Sequence, residues 1–508
     1  MRYGFVIDHN RCIGCHACTV ACKEEHNVPV GVFRTWVKYI EKGEFPDTSR
    51  HFGVMRCNHC DAAPCIEICP TRALVRRDDG IVDFDNSRCI GCKSCMQACP
   101  YDALYIDPDS HTAAKCNFCA HRIDLNLEPA CVVVCPTRAI MAGDLDDPQS
   151  AISRTVATRK VAARKPQKGT RPKLFYVGID GDFLQPSMME SQREHIFAEP
   201  NPAFNPHTGA ARDGGAPGTA RVVYDVAHPQ PWGWMVALYL WTKSIAGGVL
   251  IVAGILAGLH LDDGVLLTIA SPAMALVFLA ATSVLLIADL KRWDRFYYIL
   301  IKPNPSSWLV WGAWILIAAS ALATSWLALG ILNRGIPSAL VWLAAVLGLA
   351  AACYSAFLFA QAKGRDLWQS PLFVWHLAVQ AVLAGAAALL VLELAFDHNS
   401  PAARALVWTM IFALPIHAFM ILGEIATSAA SEDVHHAVQV MTHGTLGKAL
   451  WLAAIACGTI IPLLLLIAAL THHAPTQPMA AVAALGALLG LLFYEHVWIT
   501  AGQAPALS

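Results

Sequence analysis

Sixteen of the eighteen cysteines in this chain lie between Cys12 and Cys135, in four groups of four. In chain order the groups are Cys12, Cys15, Cys18, Cys22; Cys57, Cys60, Cys65, Cys69; Cys89, Cys92, Cys95, Cys99; and Cys116, Cys119, Cys131, Cys135. The first and third have the spacing CxxCxxCxxxC, in which three close thiolates clasp one [4Fe-4S] cube and the fourth reaches a neighbouring cube. Two CxxC pairs also suit a tetrahedral zinc ion. Zinc, however, has no use for a third close cysteine or for the Pro that follows Cys69, Cys99 and Cys135. Lys23 stands where Pro would follow Cys22, a small departure that leaves its ligand role in place.

Four [4Fe-4S] clusters are therefore expected. If outer groups exchange their fourth ligand with each other, and inner groups likewise, the ligand sets follow. They are Cys12, Cys15, Cys18 with Cys135; Cys116, Cys119, Cys131 with Cys22; Cys57, Cys60, Cys65 with Cys99; and Cys89, Cys92, Cys95 with Cys69. A row of such clusters has one evident use, passing single electrons between distant sites. Arg11, Arg56, Arg88 and Lys115 each immediately precede the first cysteine of a group. A cation beside an anionic cluster raises its reduction potential; the same residues serve equally as ion-paired or solvent-facing charges, and both readings stay open.

The elements that hold these residues divide into two kinds. Over the 508 residues the charged fraction is 15% and the hydrophobic fraction 56%, against roughly 25% charged in soluble chains, so part of this chain should face lipid. A formal net charge of −1 gives no reason to expect nucleic acid. The N-terminus, MRYGFVIDHNRCIGC, has no apolar run of signal-peptide type, so the cysteine-rich part is expected to stay where it is made. Residues 1–195 read as an α+β ferredoxin-like domain and 196–231 as a Pro/Gly-rich linker. Residues 232–508 read as an all-α membrane domain of eight transmembrane helices in an inner (cytoplasmic) membrane.

Each helix needs ~20 residues to cross about 30 Å of hydrocarbon. The expected spans are 234–258, 265–288, 308–330, 337–360, 371–396, 402–426, 446–470 and 478–500. Trp234, Trp308, Trp311 and Trp498 fit interfacial anchors. With eight spans, Lys291, Arg292, Arg295, Lys302, Lys363, Arg365 and Lys448 fall on the side of the linker, and only Arg334 and Arg404 on the other. The positive-inside rule then makes the cysteine domain cytoplasmic.

Ionisable groups within spans are costly and mark pockets or proton routes. Asp289, Tyr354, His376, Glu424, Glu495 and His496 cluster toward the linker-side ends of their spans, with Lys243 and His417 deeper. A quinone needs hydrogen-bond partners and proton acceptors beside an electron source. Lys243, Asp289, Tyr354, His376, His417 and Glu424 are the candidates, each with a bland alternative as a snorkelling lysine, a headgroup tyrosine or a satisfied core group. Glu393 is the main acid near the opposite face; isolated Cys353 and Cys457 read as packing residues.

Residues 1 to about 180 resemble the four-cluster ferredoxin subunit of molybdopterin oxidoreductases of the dimethyl sulfoxide and polysulfide reductase type. The likeness rests on the four cysteine groups, on CPTRA repeated at Cys69 and Cys135, and on GDLDDPQSAIS (143–153) with KGTRPKLFYVG (168–178). Residues 232–508 resemble the NrfD-like membrane subunit of polysulfide reductase-type complexes. That match is carried by DLKRWDRFYYILIKPNPSSWLVWGAW (289–314), YSAFLFAQAKGRDLWQSPLFVWHLAVQAVLAGAA (354–387) and the final AGQAPALS. The resemblance implies two four-helix bundles, a menaquinone or ubiquinone site, no haem, and a separate molybdopterin-containing catalytic subunit near the cluster of Cys12. It also implies that the cluster of Cys89 lies toward the membrane.

The expected function is electron transfer and membrane anchoring between a quinone pool and that subunit, for a sulfur compound such as sulfite, thiosulfate, polysulfide or sulfoxide. Two rivals are a redox-driven proton translocator working through Glu393, and a haem-bearing formate- or hydrogen-linked anchor using His376 with His417 or His496.

Overall fold

A computed structural model of the chain describes residues 1–43, 46–186, 189–191, 220–261, 264–394, 400–426, 431–471 and 477–508. They form two compact units, Met1–Pro229 with Ala506–Ser508, and Gln230–Pro505.

In the first unit the strand Tyr3–Asp8 lies between Ile140–Asp144, antiparallel, and Leu174–Val177, parallel, with Val161–Ala162 at the edge. Alternation in YGFVID places Val6 against Ile152 and Val177, beneath the helix Ala151–Thr158, which Ser150 caps by accepting from the Ser153 N–H at 3.1 Å. The Ile7 to Ile140 register sets the two ends of the cysteine region side by side. Cys12 follows the first strand by four residues and Cys135 precedes its partner by five.

The helices Ala17–Glu25 and Ala130–Val133, which carry Cys18, Cys22 and Cys131, pack together in consequence; so do Pro64–Ile68 and Ser94–Ala98 of the middle groups. Between them run two hairpins, Leu74–Arg76 with Val82–Phe84 and Leu104–Ile106 with Ala113–Lys115. A second sheet pairs Thr35–Lys42 with Ser49–Arg56 on one side and Arg221–Tyr224 on the other. This last strand falls inside the segment read as linker. RVVY is short but rich in β-formers, and tertiary pairing rather than any long apolar pattern recruits it. Residues 196–219 lie outside the described residues.

Among the described residues of the second unit, eight helices are long and apolar enough to cross a membrane: Trp234–Gly258, Leu266–Ala288, Trp308–Ile331, Ser338–Gln361, Phe373–Glu393, Pro401–Ala426, Gly444–Leu470 and Pro478–Gly502. Each matches its expected span to within a few residues. The first four pack on one another, as do the last four, and the first span joins the two groups through the fifth and eighth. Its apolar window is 83% buried, against 28% for the second and third, so it is the central post.

Small residues permit this crossing, because in lipid close van der Waals contact drives helix association. A Cβ on Gly248 would stand 1.8 Å from the Ala381 carbonyl oxygen, and one on Gly385 would stand 2.1 Å from the Gly248 carbonyl carbon. Gly248→Val should therefore push the first and fifth spans apart and cost about 2–3 kcal/mol. The check is a lowered midpoint in thermal melts of the detergent-solubilised protein; an unchanged midpoint would remove this contact from the account.

Candidate functional site

The fold gathers the thiolates from distant groups into quartets. One cavity is lined by Cys12, Cys15, Cys18 and Cys135, another by Cys57, Cys60, Cys65 and Cys99, and a third by Cys69, Cys89, Cys92 and Cys95. Cys22 lies with Cys116, Cys119 and Cys131. These are the combinations obtained when outer groups exchange with outer and inner with inner.

The loops are shaped for such grouping: Gly14 at φ 70° and Gly91 at φ 67° occupy the left-handed region, where a side chain is strained. A Cβ on Gly14 would also lie 2.6 Å from the Phe52 ring. Backbone N–H groups point at sulfur, from His59 to Cys57 at 3.4 Å, Ala73 to Cys69 at 3.3 Å, Gly91 and Ala113 to Cys89 at 3.4 and 3.3 Å, and Ala139 to Cys135 at 3.2 Å. Donors to sulfur stabilise thiolates and are a lever on cluster potential. Among the described residues no three Cys, His, Asp or Glu converge as ligands to one ion would. What favours iron-sulfur clusters over zinc is the third close cysteine of the CxxCxxCxxxC runs and the Pro after Cys69, Cys99 and Cys135.

The four preceding cations separate into pairs. Arg11 and Arg88 are 57% and 41% exposed and lie beside Asp8 and Asp85. Arg56 and Lys115 are 1% and 0% exposed. Arg56 donates to Cys131 at 3.3 Å and to Thr35 Oγ1 at 3.0 Å, and its guanidinium lies 4.5 Å from the Phe5 ring centroid. Burial opposes its charge, but the thiolates of Cys131, Cys116 and Cys18 raise its pKa above the usual arginine value. Lys115 donates to the Cys116 carbonyl at 2.8 Å and to that of Val82. Elsewhere in this unit, burial is outweighed at His228 by hydrogen bonds to Asp102 and Asp225, and its pKa is pushed up to about 10.

In the second unit the six candidates fall into two groups and an outlier. His376, Glu424 and His417 come together, joined by Tyr494: His376 Nδ1 lies 3.0 Å from Glu424 Oε1, the Tyr494 hydroxyl donates to Glu424 Oε2 at 2.8 Å, and the two imidazole centroids are 4.8 Å apart. Lys243 and Tyr354 form the other group. Lys243 Nζ donates to the Ala352 carbonyl at 2.8 Å and to Ser355, and lies 4.8 Å from the Tyr354 ring centroid. Glu495 lies within electrostatic reach of both groups, interacting with Lys243 and Tyr494, and accepts from Gln380 at 2.6 Å. Asp289 sits half-buried at the end of the second span, in reach of Tyr239.

Several buried atoms here have no protein partner: both His417 ring nitrogens, His376 Nε2 and Glu495 Oε2. Buried polar atoms are normally satisfied. Four orphans in one polar core fit a ligand with two oxygens. Tyr494, Gln380 and Ser355 were missed as candidates; the YEH run in an apolar span was the available signal for Tyr494.

Other expectations are corrected. His496 is exposed rather than with the cluster, since its neighbours Tyr494 and Glu495 take the inward face. Trp498 is 2% exposed and stacks on Phe373 at 4.1 Å, so it is a core residue and not an interfacial anchor. Cys457 is exposed rather than packed. Glu393 is buried and accepts from Ser400, which caps the sixth span by accepting from Ala403 N–H at 2.9 Å. At 4.8 Å the His376 and His417 rings leave no room for a porphyrin between them.

Family models for the 4Fe-4S dicluster domain match residues 11–74 and 49–145, and the model for polysulphide reductase, NrfD, matches residues 223–506. The chain is 44% identical over 195 residues to a tetrathionate reductase subunit of Salmonella typhimurium, covering 38% of this protein and 78% of that one. It is 45% identical over 180 residues to the protein NrfC of Escherichia coli, covering 35% and 81%. It is 43% identical over 181 residues to a polysulfide reductase component of Wolinella succinogenes, covering 35% and 94%.

Proposed function

We propose that this chain, which belongs to the polysulphide reductase NrfD family and carries 4Fe-4S dicluster domains, carries electrons between a membrane quinone pool and a separate molybdopterin-containing catalytic subunit. The observation that carries the reading is the assembly of thiolate quartets in one unit and a polar core with unpartnered histidine and glutamate atoms in the other. The sixteen cysteines from Cys12 to Cys135 hold four [4Fe-4S] clusters in the sets given above, and these supply one-electron carriers at closely spaced positions.

The chain's own residues handle the protons. A Glu424 carboxylate accepts the His376 Nδ1 proton, which leaves His376 Nε2 as the lone-pair nitrogen. That nitrogen takes a proton from a bound quinol hydroxyl, or returns one to a reduced quinone, while Tyr494 holds Glu424 in place. Menaquinone and ubiquinone both present the two oxygens this core would meet. Lys243 and Tyr354 suit the second oxygen.

The ends of the spans that carry His376, Glu424, Tyr494 and Asp289 share a bilayer face with the start of the first span. Chain connectivity and the basic loops favour the cytoplasmic face for these groups and for the cysteine unit. Ile13 lines the same cavity as the exposed Cys15, and Val20 and Val133 lie on two helices that pack together. The three are 58%, 65% and 58% exposed in that order; exposed apolar residues of this kind suit docking of the catalytic partner. Substrate chemistry falls to that partner, and the likeness to tetrathionate and polysulfide reductase relatives favours a sulfur compound.

The test is purification from membranes. A molybdenum-containing protein should copurify, and added quinol or oxidised partner substrate should change the [4Fe-4S] EPR signals. Thiolates found as disulfides, or one mononuclear ion per quartet, would overturn the reading.

A further inference from the structure

The quartets succeed one another in an order that the chain order does not suggest. Cys18 of the Cys12 quartet is in electrostatic reach of Cys131 of the Cys116 quartet. Cys57 of the next quartet is in reach of Cys116, and Cys95 of the Cys89 quartet is in reach of Cys65. The sequence of neighbours is thus the quartets of Cys12, Cys116, Cys57 and Cys89.

Arg56 and Lys115 sit at the first two joints. Arg56 donates to Cys131 of one quartet at 3.3 Å, and Val54, two residues before it on the same face of the strand Ser49–Arg56, lines the cavity of the Cys12 quartet. Its Nε is buried without a partner, a donor that suits an acceptor sulfide of a bound cluster. Lys115 adjoins Cys116 in the chain, bonds to the Cys116 carbonyl, and bonds also to the carbonyl of Val82, a residue that lines the cavity of the following quartet. Both cations lack any carboxylate partner among the described residues, unlike Arg11 and Arg88. With no carboxylate beside them, these buried charges are held by neutral partners, Thr35 and the Phe5 ring at Arg56 and two carbonyls at Lys115, and their opposite charge must come from the sulfur groups that flank them.

We propose that Arg56 and Lys115 are shared counter-charges, each serving two successive clusters and raising the reduction potentials of both. A fixed cation at a joint shifts the potentials of both flanking clusters in the same direction, so its removal should move the pair together. This inference rests on the quartets being cluster ligands, and the test separates the two.

The full-length protein is prepared as wild type, Arg56→Gln, Arg56→Lys, Lys115→Met and Arg88→Gln, with iron content measured first and potentials then taken by EPR-monitored titration. Wild type without cluster iron would sink the ligand reading itself. With iron present, Arg56→Gln should lower two centres together by about tenfold in the reduction equilibrium, 59 mV for one electron, and leave the others in place. Lys115→Met should lower a pair that shares one member with the Arg56 pair. Arg88→Gln should move none. If Arg56→Gln or Lys115→Met loses its iron, Arg56→Lys, which retains the charge with altered geometry, should still shift two centres in concert. A shift in one centre alone, or none, in the iron-loaded variants would overturn the proposal.

Discussion

Cys65→Ser is expected to remove roughly a quarter of the iron and to disconnect the quinone from the partner. Cys65 is buried in a cavity it shares with Cys57, Cys60 and Cys99, and that quartet lies between two others in the row of neighbours. An oxygen ligand there is a poorer match to iron-sulfur chemistry than thiolate. Since the quartet is internal, its loss interrupts the path rather than shortening it. Turnover between quinol and the partner's substrate should fall by more than the roughly 10–100-fold that loss of an outer-shell partner of a metal site costs.

Iron analysis with EPR gives the first check and coupled turnover the second. Cys353→Ser, at a cysteine outside the quartets whose thiol lies 3.6 Å from the Val374 carbonyl, should leave the iron unchanged. Full iron in Cys65→Ser would remove that residue from the ligands.

Glu424→Gln should lower quinol oxidation by about 10²–10⁴-fold, the range for loss of acid-base catalysis. The amide keeps the size of the side chain, and its oxygen can still accept from the His376 Nδ1–H, but it carries no negative charge to stabilise the imidazolium that forms when Nε2 takes the quinol proton. Tyr494→Phe removes one hydrogen bond, of 2.8 Å, and should have a smaller effect, near the 0.5–1.5 kcal/mol net worth of such a bond, about 2- to 13-fold. Iron content and cluster potentials should be unchanged in both.

Glu393→Gln distinguishes the proton-translocating rival. Because Glu393 accepts from the serine that caps the sixth span, electron transfer should persist and proton uptake by liposomes should follow quinone turnover as in wild type. Loss of proton uptake with electron transfer intact would favour the rival. Equal turnover in Glu424→Gln and wild type would move the quinone to Lys243 and Tyr354.

Much of this molecule is readable from residue types and spacing. Cysteine groups at intervals of two or three residues and apolar runs of membrane length are local properties, and local geometry decides them whatever the rest of the chain does. The grouping of cysteines from different runs was legible too, because a CxxCxxCxxxC run sends its fourth cysteine toward a neighbouring group.

Contacts between distant residues were not legible in the same way. Arg11, Arg56, Arg88 and Lys115 occupy the same place beside their cysteine groups, yet two face solvent and two are buried among sulfur. The difference comes from what packs over each site, above all Phe5 and Thr35 over Arg56. Glu495 and His496 are adjacent, but a helix turns each residue by about 100°, so only one can face the core. Trp498 has an anchor's composition and a core residue's place for the same reason. The sequence by itself determined which chemical groups exist and how far each local clasp can reach. Tertiary structure decided which of them meet, since burial and partnership depend on surfaces supplied by residues tens to more than a hundred positions away.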